Sequence, residues 1–551
     1  MRKFLTLILF FPLLLSLNAQ DVFERHSTIP TVQYEPGGGG FGGFVAGVDF
    51  DEDDLPEIYA VNTNMIDRPG ELIPKIYKFE WNEGTSSWDS VWGATPGIPL
   101  QNTWPALTWG DLDKDGKPEI IWSPVNYLDA VTNPNPARII VYEVAGDGSD
   151  NLGVDDGFGS FLPNSTFTIT QDDNFDLRPV KSLVMDIDND GTDELIFADR
   201  SSSANYSYGV LSVDDIPDLG GGSETWTIEA SGFGDPILAG TGPKWDIAVV
   251  GSVLYLFAQS GLVFPVKYDT GTWTALNPQS GIANGSFKGS ATVDIDNDGT
   301  DEIVVAGWLG NNVYLLQQDG DTLVSTQIAD LASIGAGRFL AAASGDLDDD
   351  GNIDLVFGTR GDPPSVPNNA VFRMEYQGGS ITDSASYQFS VIDSFLVPEP
   401  DGLGGDLDVV YVMNVDGDVA HEVIYTQGYT RGIANDTTAD AAILDIEHTP
   451  GWVGVELADD NIPDQFYLNQ NYPNPFNPAT TIKFGLTTEM AVELKVFDIT
   501  GQEVMTLIDG QLMNAGSYNV HFDASSMASG TYIYRLKAGN YVESKKMMLI
   551  K

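Results

Sequence analysis

Between residues 49 and 422 the chain alternates short apolar runs with acidic turns, and six of those turns share one layout. A hydrophobic segment leads into acidic or amide side chains at positions one, three and five. A turn follows, an acid stands at position nine, and a second apolar run begins at once. The copies are DFDEDDLPE (49–57), DLDKDGKPE (111–119), DIDNDGTDE (186–194), DIDNDGTDE (294–302), DLDDDGNID (346–354) and NVDGDVAHE (414–422). The runs behind position nine, such as EIIW (119–122), ELIFA (194–198), EIVVAG (302–307) and DLVFG (354–358), are short, β-branched and aromatic, which predicts strands. Each acidic turn is therefore expected at the tip of a β-hairpin.

Hard oxygen ligands at this spacing suit Ca²⁺, which takes six to eight oxygens at about 2.3–2.6 Å. The expected ligands are Asp49, Asp51, Asp53 and Glu57; Asp111, Asp113, Asp115 and Glu119; Asp186, Asp188, Asp190 and Glu194; Asp294, Asp296, Asp298 and Glu302; Asp346, Asp348, Asp350 and Asp354; and Asn414, Asp416, Asp418 and Glu422. That makes about six Ca²⁺ sites. Only a curled backbone turns positions one, three and five toward one point, and Gly116, Gly191, Gly299 and Gly351 supply the needed freedom at position six. An EF-hand shares these features but requires a Glu at position twelve and flanking helices. Position twelve here is Ala60, Trp122, Phe197, Val305, Phe357 and Tyr425. Acidic turns that merely keep hairpin tips soluble would explain one or two copies, not six in register.

The first positions fall at 49, 111, 186, 294, 346 and 414, and the interval from 186 to 294 is about twice the others. Aligning WDIAVVG (245–251) with DEIVVAG (301–307) places Asp246 at a ninth position. A seventh copy is then expected from Leu238, with Leu238, Gly240 and Gly242 where ligands would stand: a repeat with strands and no metal. The stretches before 49 and after 414 together supply one further interval. Seven units of four strands predict a seven-bladed β-propeller whose N- and C-terminal strands share one blade. These residues resemble the FG-GAP and VCBS repeats of integrin α-subunit propellers and of many secreted bacterial proteins. The resemblance spans most of residues 20–455 and implies a fold and calcium ligands, but no activity.

Both ends of the chain bear on its destination. Residues 1–19 carry a basic start (Arg2, Lys3), an apolar run from Phe4 to Leu17 and a small residue, Ala19, as in a secretory signal peptide. No segment is long and apolar enough to predict a membrane span. With no cysteine, no disulfide holds the exported chain together. After residues 20–455, a polar linker is expected at ELADDNIPDQ (456–465), followed by a small immunoglobulin-like β-sandwich at 466–551, making the protein all-β. YPNPFNP (472–478), GTYIYRL (530–536) and KKMMLIK (545–551) resemble the C-terminal sorting domain of the type IX secretion system. That resemblance implies passage across the outer membrane of a Bacteroidota-like bacterium. It makes the secretion machinery a partner, with release or surface attachment after removal of the domain.

Lys+Arg 26 against Asp+Glu 80 gives a net charge of −54, a field that repels nucleic acid and anionic membranes. A neutral glycan, a basic protein patch or a calcium-bridged acidic polymer suits it better. No thiol, G-x-S-x-G elbow or H-E-x-x-H motif occurs among the residues, and the histidines (His26, His421, His448, His521) are scattered, so no catalytic or organic-cofactor residue is assigned. The expected function is a secreted or cell-surface calcium-binding propeller that binds a glycan or protein ligand or mediates adhesion. The competing reading is an extracellular polysaccharide lyase or glycosidase, whose carboxylate pair could hide among so many acids. Most of the tryptophans, Trp92, Trp104, Trp109, Trp122 and Trp308 among them, are expected to pack within the blades. The polar insertion VAGDGSDNLGVDDGFGS (144–160) is expected to join a binding surface on the face opposite the calcium hairpins.

Overall fold

A computed structural model describes residues 23–30, 41–62 (except 54), 74–96 (except 83 and 86), 105–124, 137–167, 177–201, 206–331 (except 221), 338–360 (except 349 and 350), 369–395, 410–413, 421–427, 442–448, 455–459, and 463–550 with scattered breaks. The proposed signal peptide lies outside these residues. Residues Glu24–Glu447 form one compact unit and the described residues from His448 onward another.

In the first unit seven four-stranded sheets follow one another along the chain. Their first strands, in sheets 1 to 7, are Phe41–Val48, Ala106–Gly110, Pro179–Met185, Asp246–Val250, Ser290–Val293, Arg338–Gly345 and Val410–Met413. Each packs beside the first strands of the neighbouring sheets, and Val410–Met413 closes the cycle against Phe41–Val48. The result is a propeller ring. Phe23–Pro30 supplies the outermost strand of sheet 7 beside Ala442–His448, so the two ends share a sheet as expected.

The second strands are buried on both sides, which explains their continuous apolar character. Every residue of Glu119–Ser123, Glu194–Asp199 and Glu302–Ala306 is buried. Cores form between neighbouring sheets: Val45, Tyr59, Trp122 and Tyr142 between sheets 1 and 2, and Val304, Leu315, Phe357 and Met374 between sheets 5 and 6. Trp92, Trp122 and Trp308 pack as expected, whereas Trp109 is 46% exposed and Trp104 lies outside the described residues.

The expected seventh copy at Leu238 is misplaced. Asp246 opens the first strand of sheet 4, not the second, and pairs with Phe257. The hairpin that would carry an acidic loop is Val250–Val253, reduced to a two-residue turn at Gly251 and Ser252, with Gly251 at φ +56°. Asp246–Val250 and Glu302–Ala306 are each buried along their whole length, so WDIAVVG and DEIVVAG look alike although they occupy different places in their sheets.

The second unit is a pair of four-stranded sheets around one core that includes Ile482, Phe484, Leu494, Val496, Val520, Tyr534, Leu536 and Met547. Asn471 in the YPNPFNP turn region is buried. Its Nδ2 donates to Thr480 Oγ1 at 2.9 Å and its N–H donates to the Tyr534 hydroxyl at 2.8 Å. The expected linker at 456–465 needs correction: Val455–Asp459 is a strand paired antiparallel with Gly516–Asp523, Val455 opposite Val520. As an edge strand it pairs on one side only, so its polar composition imitates a linker.

Candidate metal centres

Each acidic loop among the described residues joins a first strand to a second strand, so these loops sit at one end of the ring. The ninth acid opens the second strand, and Glu57, Glu119, Glu194, Glu302, Asp354 and Glu422 are all buried. In five loops the acid's carboxylate accepts from the backbone N–H at position two: Phe50 to Glu57 at 3.2 Å, Leu112 to Glu119 at 2.9 Å, Ile187 to Glu194 at 3.0 Å, Ile295 to Glu302 at 3.4 Å and Leu347 to Asp354 at 2.8 Å. The first acid accepts from position six, as Gly191 to Asp186 at 3.0 Å and Gly299 to Asp294 at 2.8 Å. Gly116, Gly191, Gly299 and Gly351 have φ between +85° and +99°, as position six requires. Position four is left-handed too, at Glu52, Lys114, Asn189 and Asn297, a turn the glycine pattern alone did not reveal.

Three loops gather carboxylates with no buried base against their third and ninth acids, although Lys117 Nζ lies 3.3 Å from Asp115 Oδ2 at the rim of the second loop. Asp186, Asp188, Asp190 and Glu194 each offer an oxygen within 4.8 Å of the others, and Asp111, Asp113 and Asp115 do likewise. Burial pushes Glu119 up to about 9, with Asp113, Glu143 and Asp111 adding repulsion, and pushes Glu194 and Glu302 up to about 7. Glu119 Oε1 and Asp111 Oδ1 are buried without a hydrogen-bond partner. Buried oxygens that are bare on one side, together with hard donors at positions one, three, five and nine, fit Ca²⁺.

Two loops differ. In the first, Lys78 Nζ lies 2.8 Å from Asp51 Oδ2 and 2.5 Å from Glu57 Oε1, and also 2.8 Å from Asp150 Oδ1; the lysine is 1% exposed. In the fifth, Arg373 Nε donates to Asp354 Oδ1 at 2.6 Å and Nη2 to Asp348 Oδ2 at 2.7 Å, with Glu375 at 3.4 Å. Burial disfavours both cations, but the surrounding carboxylates outweigh it and hold each above its ordinary range. Asp350, Asn414, Asp416 and Asp418 lie outside the described residues.

Sequence reasoning missed Lys78 and Arg373, which third strands bring in from outside the motif. The available signal was a lone base inside an apolar run ending in Glu: IYKFE (76–80) and VFRME (371–375). The insertion at 144–160 also needs correction. It joins the third and fourth strands of sheet 2 and therefore shares the end of the ring with the acidic loops, where Asp150 reaches Lys78 of sheet 1. Val144 and Leu152 are buried in the core between sheets 1 and 2, and Phe161 just beyond the segment lies 6.0 Å from Trp92, so the segment seals a boundary between sheets.

At the opposite end, residues before the first strands and after the second strands build a stack across sheets 3 to 6. Arg200 lies over Trp245 at 5.4 Å, Trp245 stacks on Phe287 at 4.5 Å, Phe287 on Trp308 at 5.2 Å, and Arg338 lies over Trp308 at 4.8 Å. A cavity of about 870 Å³ runs between the first strands, lined by residues from Phe44 and Lys181 to Tyr411.

Residues 470–551 match the secretion system C-terminal sorting domain, and residues 294–357 match the FG-GAP-like repeat, in agreement with the resemblances drawn from the motifs. No match was found among curated proteins. Among solved structures the chain is similar to the N-terminal domain of Nup159, at 8% identity and TM-score 0.37 over 78% of this chain and 96% of that one. It is also similar to Saccharomyces cerevisiae Sqt1, at 9% identity and TM-score 0.39 over 79% and 99%. Similarities this distant carry no inference about ligand or activity. Among the described residues no helix is long and apolar enough to cross a membrane.

Proposed function

We propose that this FG-GAP-like propeller, carrying a C-terminal sorting domain that implies export to the cell surface or medium, is a calcium-stabilised protein that binds a glycan or protein ligand or mediates adhesion. The calcium reading is carried by the buried, partnerless oxygens of Glu119 and Asp111 in a loop whose other donors are all carboxylates. A bound ion would neutralise part of that charge and tie the hairpin tip to the start of the second strand. The acidic end is thereby committed to its own ions, which leaves the other end to meet a partner.

There, the exposed Arg338 and the partly exposed Trp245 suit a glycan's acidic substituents and apolar groups, the ring faces of the stack being taken up by one another and by the guanidinium groups. The test is a glycan and protein array with the full chain, scored for binding and for depolymerisation. Replacing Trp245 and Arg338 together by Ala is expected to weaken binding by about tenfold or more while leaving calcium content unchanged. Unaltered affinity removes this end of the ring from the ligand site, and depolymerised polysaccharide overturns the binding-protein reading.

A further inference from the structure

The acidic loops look alike in sequence but are not alike chemically, and the strand register shows why. The residue opposite the position two beyond the ninth acid always comes from the third strand of the same sheet. It is Lys78 opposite Tyr59, Val141 opposite Ile121, Val210 opposite Ile196, Leu315 opposite Val304, Arg373 opposite Val356, and Asp445 opposite Ile424. This position decides what points at the acids. Where it is basic, the cation lies against the third- and ninth-position carboxylates; where it is apolar, it adds no charge.

We infer that loops 49–57 and 346–354 are closed by built-in cations, Lys78 and Arg373, and do not take Ca²⁺. This rests on the reading of the other loops as calcium sites. An ion coordinated at positions three and nine would need the oxygens that Lys78 already holds at 2.8 and 2.5 Å and Arg373 at 2.7 and 2.6 Å. Ca²⁺ bonds its oxygens at about 2.3–2.6 Å, so the two cations would compete for one place at a separation where they repel strongly. Nor can the bases swing aside cheaply, because both are 1% exposed and are held by further acids, Asp150 for Lys78 and Glu375 for Arg373. The expectation of about six sites is accordingly reduced.

The two loops belong to sheets 1 and 6, which flank sheet 7, where the N-terminal strand completes the ring. The seam is thus bordered on both sides by loops that need no metal.

The test is bound calcium per full-length chain, measured by equilibrium dialysis and elemental analysis in wild type, Asp188→Asn, Asp51→Asn and Lys78→Ala. Wild type is expected to hold at most about four Ca²⁺. Asp188→Asn should lose one, Asp51→Asn none, and Lys78→Ala should gain one, while Lys78→Arg keeps the wild-type count. Loss of one ion in both Asp variants would overturn the inference while sparing the calcium reading. Absence of bound calcium from wild type would overturn both. The wild-type count alone decides if the variants fail to fold, since six ions per chain contradict the built-in cations.

Discussion

Stripping Ca²⁺ from the full chain with excess chelator should lower its melting temperature by several degrees yet leave it folded at room temperature. With an affinity of extracellular type, about 10⁻⁴ M, roughly 1 mM Ca²⁺ stabilises by about 1.4 kcal/mol per site. The three described loops without a buried base on their third and ninth acids then contribute about 4 kcal/mol together, a large share of the roughly 5–15 kcal/mol typical of a folded protein. Removing the ions leaves buried acids such as Glu119, which burial pushes up to about 9, to take up a proton in place of the metal, so the loss falls on the loops of sheets 2, 3 and 5. The loops of sheets 1 and 6 keep Lys78 and Arg373, and the cores between sheets are untouched. Circular-dichroism melts with and without chelator, with metal analysis verifying removal, measure the effect. An unchanged melt after verified removal refutes calcium stabilisation; unfolding at room temperature refutes the metal-independent seam.

How much of this was legible follows from what each feature depends on. The ninth-position acids and the strands behind them were legible because burial on both faces leaves an unbroken apolar run directly after a fixed acidic spacing. The ring was legible because the intervals repeat. The loopless sheet was misplaced because Asp246 and Glu302 both precede buried runs, and a two-residue turn at Gly251 and Ser252 leaves no acidic mark. Lys78 and Arg373 were missed because register, not proximity in sequence, carries them to their loops. The position of the 144–160 insertion could have been deduced: antiparallel strands alternate in direction, so a loop between third and fourth strands must share an end with the loop between first and second. Val455–Asp459 was hidden for a different reason, since an edge strand with one paired side need not look like a strand at all.

Deleting everything from residue 449 onward should leave a folded, calcium-responsive propeller that is absent from the cell surface and the medium. The sheets of the ring draw their strands from Phe23–Pro30 through Ala442–His448, and the sorting unit has a core of its own. A cut at 466 would be a poorer test, because Val455–Asp459 would remain without its partner Gly516–Asp523 and expose an unpaired edge that invites aggregation. With the match at 470–551 removed, a signal peptide alone would deliver the chain only as far as the periplasm. The expected loss of surface and medium signal is near total, read by fractionation and immunoblotting, with the periplasmic pool rising to match. Normal amounts of the truncated chain outside the cell would show that export does not depend on this unit. A truncated chain that is degraded, while the separately purified 24–448 fragment melts cooperatively, would assign the loss to proteolysis of a retained protein, not to failure of the ring to fold.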